Sequence, residues 1–327
     1  MFFCRFIKFI HFLVIAVVIL AIAACHSNTS QTEMRTDKLA LAQLPKATQV
    51  VDHALGKVEI PVAPQRVIVL HDMILDSVLA LDVKPVGIAY YPYLFGGEHF
   101  RAIPQDLVAN IPVVGSVSQP SIEKILTLKP DLILGMKFQK NDYKLLSVIA
   151  PTVLVDTYDQ LYDFKERLRY IAQVLGKSQQ AEKALTNYHK RIQQLQHELG
   201  EKLQRITISV VILEGQNFYT YSSEHVLEGQ VIRDIGLRRP VIQQNQKEAD
   251  LMSSIEMLSN HDADVLFVKA DWTKENPKPL SFLKEPIWST LNAVQNNQVY
   301  EVNWAFGGPF AANKIIDDLY KYLVNVP

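Results

Sequence analysis

Few residues of this 327-residue chain have the type and spacing that covalent chemistry requires. Its two cysteines, Cys4 and Cys25, form no cluster, and its nine histidines are scattered without a His-x-x-x-His or His-Glu-x-x-His pair. A zinc or manganese site would need several such side chains converging. His71, His225 and His261 are isolated, and a lone histidine after a strand is usually a polar loop residue. There is no Gly-rich phosphate loop and no Gly-x-Ser-x-Gly elbow. The chain does hold aromatic rings: Tyr90-Tyr91-Pro92-Tyr93 is its densest aromatic cluster, and Tyr219, Tyr221, Trp272, Trp304 and Phe306 recur in the second half. With a few cations such as Lys137, that set suits capture of a large, partly apolar ligand rather than its conversion. Ordinary loop packing is the competing account of the tyrosine cluster.

These residues matter together only if the fold gathers them. From Arg66 onward, short β-branched runs alternate with segments of helical period. The strands are Val67–Leu70, Val86–Ala89, Val113–Val114, Leu132–Leu134 and Val153–Val155, then Ile206–Leu213, Val265–Val268 and Val299–Val302. Helical spacing marks 76–81, 121–128 and Asn313 to about Leu323. Such alternation predicts an α/β fold of mostly parallel sheets with helices on both faces. Ligands of open α/β sheets sit beyond the carboxyl ends of the strands. Besides the tyrosines and Lys137, that rule adds His71 and Ser116 to the candidates. Between the two strand sets, residues 178–203 read as one long helix, with Ala181, Ala184, Leu185, Tyr188, Ile192 and Leu195 on one face. About 25 residues span roughly 37 Å, enough to bridge two lobes, although a surface helix of one large domain would share the pattern. The expected organisation is a signal segment 1–24, a tether 25–48, a first lobe 49–177, the helix 178–203 and a second lobe 204–327.

The N-terminus carries its own chemistry. Arg5 and Lys8 precede an apolar run from Phe9 to Ala24, followed by Cys25 and a polar tract, the pattern of an export signal. Ile22-Ala23-Ala24-Cys25 resembles a bacterial lipobox, in which the cysteine sulfur takes a diacylglycerol. A plain membrane anchor is the alternative, but about sixteen residues is short for a span. Cleavage leaves Cys25 as the sole cysteine, so an exported chain would depend on its core without disulfides. The near-neutral net charge of −1 argues against a nucleic-acid partner.

Further stretches carry a family resemblance: Pro64-Gln65-Arg66-Val67, Leu79-Ala80-Leu81-Asp82-Val83-Lys84-Pro85-Val86-Gly87, Val114-Gly115, Leu128-Lys129-Pro130-Asp131-Leu132, Gly236-Leu237-Arg238-Arg239-Pro240, Pro286-Ile287-Trp288, and Trp304 ahead of Gly307-Gly308. Their order over some 280 residues resembles the binding proteins of siderophore, haem and cobalamin ABC importers, with iron-siderophore members most alike. The resemblance implies two Rossmann-like α/β lobes joined by one long helix, a ligand cleft between them, and a monomeric binding protein without cofactor or reaction of its own.

It also implies roles. Tyr90, Tyr91, Lys137, Tyr221, Trp272, Trp304 and Phe306 are the expected ligand contacts, Trp304 by its match to a hydroxamate-contacting position. Trp288 is expected to pack a helix start. Glu123 and Glu256, one per lobe, match glutamates that pair with permease arginines, though helix capping suits both. Some siderophore binders place arginines where this chain has Ser116-Val117-Ser118 and Ser222-Ser223-Glu224-His225. That departure favours a hydroxamate or citrate–hydroxamate ferric chelate over a highly anionic catecholate. Arg101, Arg238 and Arg239 are possible contacts. Ferric citrate, haem or cobalamin are the alternatives within the class, and an exported α/β enzyme the alternative outside it.

Overall fold

The structure is a computed structural model describing residues 47–90, 102–157, 161–214, 217–221, 225–244, 250–269 and 286–324. Residues 48–327 form one compact unit. It opens with an antiparallel hairpin, β1 (Thr48–His53) and β2 (Gly56–Pro61), turning at Gly56.

The first lobe follows as β3 (Val67–Val69), α1 (Asp72–Ala80), β4 (Gly87–Tyr90), α2 (Gln105–Val108), β5 (Val113–Ser116), α3 (Ile122–Thr127), β6 (Leu132–Met136), α4 (Tyr143–Ile149), β7 (Thr152–Val155) and α5 (Phe164–Leu175). Its five strands are all parallel, in the order β5-β4-β3-β6-β7. All three residues of β3 and all five of β6 are buried, as expected for central strands covered on both faces. Asp131 fixes the entry into β6. Its carboxylate accepts the Arg66 amide at 2.8 Å and the Gln65 amide at 3.0 Å, tying β3 and β6 at their starts.

α6 (Ser178–Leu199) then leads through the short α7 (Lys202–Arg205) into the second lobe. There lie β8 (Ile208–Glu214), β9 (Asn217–Tyr221), α8 (Leu227–Ile235), α9 (Val241–Gln244), β10 (Asp250–Ser254), β11 (Val265–Lys269), α10 (Pro286–Thr290), α11 (Asn292–Gln295), β12 (Val299–Val302) and α12 (Pro309–Leu319). The sheet order is β10-β9-β8-β11-β12, parallel across β8, β11 and β12 and antiparallel at β9 and β10.

The long helix is shorter than its sequence pattern, ending at Gly200 with φ +51°, a conformation glycine adopts readily. It buries Ala181, Leu185, Tyr188, Ile192, Leu195 and Leu199. It packs against α5 of the first lobe and against α8 and α12 of the second. The Tyr188 hydroxyl donates to Asp234 at 2.8 Å, and Arg191 reaches Asn313 Oδ1 at 2.8 Å. One apolar cluster consequently runs from Val69 and Leu134, through Phe164, Leu168 and Tyr188, to Val210 and Phe267.

Candidate functional site

The carboxyl ends of the first-lobe strands are assembled by a side chain. Gln139, 3 % exposed, donates through Nε2 to the carbonyls of Leu70 (3.3 Å) and Val117 (2.9 Å) and accepts the Met136 amide at 2.9 Å. It staples the exits of β3, β5 and β6. Around it, Lys137 pairs with Asp156 at 2.7 Å, Lys137 being partly exposed and Asp156 buried. Tyr90 ends β4 half-buried against the main core. His71 is buried rather than displayed: its ring caps α1, accepting the Met73 amide at 3.2 Å, and lies 2.8 Å from Asp72. Ser116 likewise serves its own turn, accepting the Gln119 amide at 3.0 Å.

In the second lobe the end of β11 carries Lys269, whose ammonium pairs with Glu228 at 2.6 Å, each side chain 2 % exposed. The Phe306 ring lies over that ammonium, 4.8 Å from Nζ to ring centre, within cation–π range. Where the lobes meet, Met73, Tyr162, His225, Gln230, Phe306 and Gly307 line a crevice of about 10 Å³, room for one water. Tyr162 and His225 have ring centres 5.0 Å apart across it, and the Gln230 side chain bridges the Phe164 amide and the Tyr162 carbonyl, both at 3.0 Å. Residues of both lobes thus converge on one line of contact. A larger open groove of about 520 Å³, lined by Leu199, Arg205, Ile206, Val265, Gln298 and Tyr322, lies at the amino ends of β8 and β11. In an open α/β sheet that is the end away from ligands.

Several expectations are corrected. Trp304 is not a cleft wall: it is 1 % exposed, its indole donates to Asp318 at 2.9 Å, and it packs 5.0 Å from the Phe267 ring. The reach of Asp318 on α12 pulls the ring into the core. Tyr219 does not follow a strand but lies within β9, with Phe218 and Thr220 buried to either side. Arg238 and Arg239 sit beside the start of β8, not its exit: the Ile208 amide bonds the Arg238 carbonyl at 2.9 Å, and buried Arg239 bonds Gln243 at 3.0 Å. Trp288 packs half-buried beside the core of the second sheet. Tyr91, Arg101, Trp272, Cys25 and the Tyr221 side chain lie outside the described residues. Sequence reasoning missed Glu228, Lys269, Asp156 and Gln139. Lys269 had a signal, since it follows the Val265–Val268 run as Lys137 follows β6.

Glu123 and Glu256 are both exposed, on different lobes. Ser121, not Glu123, caps α3, its hydroxyl accepting the Lys124 amide at 3.3 Å. A hydrogen bond with Ser254 holds the Glu256 carboxyl below its ordinary value. Leu126 is exposed one turn beyond Glu123, and Met257, next to Glu256, is exposed as well. Among the described residues no His, Cys, Asp or Glu group could hold a metal ion, and no helix is long and apolar enough to cross a membrane.

Comparison with known proteins places this architecture. A family model described as "Periplasmic binding protein" matches residues 67–303. The probable siderophore-binding lipoprotein YfiY of Bacillus subtilis is 31% identical, over 94% of this chain and 95% of that protein. The Fe(3+)-citrate-binding protein YfmC of the same organism is 30% identical, over 86% of this chain and 87% of that one. The crystal structure of Staphylococcus aureus SirA complexed with staphyloferrin B superposes with a TM-score of 0.73 at 30% identity, covering 84% of this chain and 98% of that one.

Proposed function

Because this chain belongs to the periplasmic binding protein family, we propose that it captures a ferric siderophore between its two lobes and delivers it to the permease of an ABC importer. It is a binding protein, not an enzyme. The observation that carries the reading is the convergence of residues from both lobes, Met73 and Tyr162 from one and His225 and Phe306 from the other, on a single crevice. That crevice is the floor; a chelate would lie over it, between the strand-end loops.

The favoured ligand is a hydroxamate or mixed citrate–hydroxamate chelate. Its support is charge counting: Lys137 and Lys269, the described strand-end lysines, are each matched by a carboxylate. Such pairing suits a ligand of low net charge. Ferric citrate is the second reading, favoured by the likeness to YfmC. Tryptophan-fluorescence titration with ferric chelates tests both. Saturable one-to-one binding of a ferric hydroxamate is expected; saturation by ferric citrate alone selects the second reading; no response to any ferric chelate ends the proposal.

Delivery rests on Glu123 and Glu256, each an exposed acid beside exposed apolar side chains, suited to pairing with permease arginines. Replacing both by Ala should leave the chelate Kd nearly unchanged while uptake falls sharply, because two permease charges lose their partners together. Normal uptake by that double variant removes the docking role. Anchoring rests on Cys25 as a lipidation site. A Cys25→Ser chain should bind ligand yet take up no label from a diacylglycerol donor, and two acyl chains suffice for stable attachment.

A further inference from the structure

The contact between the lobes contains two buried ionisable side chains to which the capture mechanism assigns no role, one of them, Arg167, in the lining of the crevice itself. Asp76 on α1 is 2 % exposed and Arg167 on α5 is 1 % exposed. Both belong to the first lobe, and both reach one turn of the second, Asp76 with both carboxylate oxygens and Arg167 with one of its two Nη atoms. Asp76 Oδ1 accepts the Phe310 amide and Oδ2 the Ala311 amide, each at 3.0 Å, taking up free donors at the start of α12. Arg167 Nη2 donates to the Gly307 carbonyl at 2.7 Å, while its Nη1 holds the carbonyls of Leu161 (3.0 Å) and Tyr162 (3.2 Å). The turn is shaped for this approach. A Cβ on Gly307 would stand 2.7 Å from Asp76 Oδ2, and one on Gly308 would stand 2.8 Å from Ser77 Oγ. The residue immediately before the turn is Phe306, the ring over Lys269 at the crevice.

We infer that Asp76 and Arg167 are positioning residues for ligand capture: from the first lobe they fix the Gly307–Gly308 turn, and through it they set where Phe306 stands in the cleft. The inference rests on the reading that Phe306 faces the ligand. It assigns the placement of a second-lobe wall to two first-lobe side chains. It also explains the cost of burying two ionisable groups that an apolar contact would avoid. Burial pushes the Asp76 carboxyl up to about 6, against the pull of the Gly308, Phe310 and Ala311 amides and of Arg167, and burial lowers Arg167 to about 10.

The test is a thermodynamic cycle on the full chain, with ferric complexes of a linear trihydroxamate and of citrate as probes. Asp76→Asn should raise the Kd of the bound probe about tenfold in the wild-type background, and should change it little when Phe306 is already Ala. A Kd unchanged by Asp76→Asn, or a loss equally large in both backgrounds, overturns the inference. If Asp76→Asn does not fold, Gly307→Ala displaces the same turn without altering charge and is read in the same cycle. If wild-type protein binds neither probe, the capture reading fails separately. Amide hydrogen exchange then decides: faster exchange at Phe310 and Ala311 in Asp76→Asn supports the positioning role, and unchanged exchange removes it.

Discussion

Trp304→Ala should lower unfolding stability by about 3–5 kcal/mol, the cost of emptying a buried tryptophan site, while chelate affinity of the folded fraction changes little. Urea unfolding and fluorescence titration on one sample check both. The expectation from resemblance was the opposite, and the reason it failed is local. Trp304 lies two residues past β12, where strand-end residues usually meet ligand, but Asp318 lies fourteen residues onward and draws the indole inward. Strand-end position was legible in the sequence; the direction of a side chain chosen by a distant acid was not. The Lys269–Glu228 pair belongs to the same scale. Lys269→Met should cost about 3–5 kcal/mol by removing the ammonium that pairs with buried Glu228, and adding Glu228→Leu should recover much of that loss. His261 supplies a pH dependence. Burial, then the Arg239 charge, lowers its pKa to about 4, against an ordinary value of 6.5. The fold therefore holds it neutral. Its contribution to stability is present above about 6.5 and is lost as pH falls toward 4. The urea midpoint should drop over that range in wild type and drop less in His261→Gln.

At the scale of elements, periodicity carried the parallel strands and the buried face of α6, because both arise from local patterning against a continuous core. It missed β9 and β10. Asn217-Phe218-Tyr219-Thr220-Tyr221 alternates correctly, with Phe218 and Thr220 buried, and its aromatic and β-branched residues were the available signal; β10, Asp250-Leu251-Met252-Ser253-Ser254, is more polar and carries less of one. It also set the start of α12 at Asn313, four residues late. Pro309 at the first helical position was the available signal. Gly115 makes a turn that only glycine suits. Its φ is +114°, and a Cβ there would stand 2.6 Å from the Gln119 carbonyl and 2.9 Å from the Ser121 amide. Gly115→Ala should cost about 1–3 kcal/mol from backbone strain alone. Thermal unfolding measures it, and an unchanged melting temperature contradicts the geometry.

Across the whole molecule, the apolar cluster passes from one sheet to the other without a break. Calorimetry should show one transition rather than separate melting of the lobes, with calorimetric and van't Hoff enthalpies in agreement. Two resolved transitions would mean that the shared core does not couple them. The contact between α1 and α12 has a further consequence, in the order of events. Asp76 and the Phe310 amide it accepts are 234 residues apart. Contacts of that separation carry a large loop-closure entropy and form late. Until α12 docks, Asp76 and Arg167 have no turn to hold, and the first lobe lacks part of its own interior. Folding is thus expected to finish with a clasp drawn from the far end of the chain. A chain stopped before Pro309 should be cut by protease in both lobes at once, not only in the second.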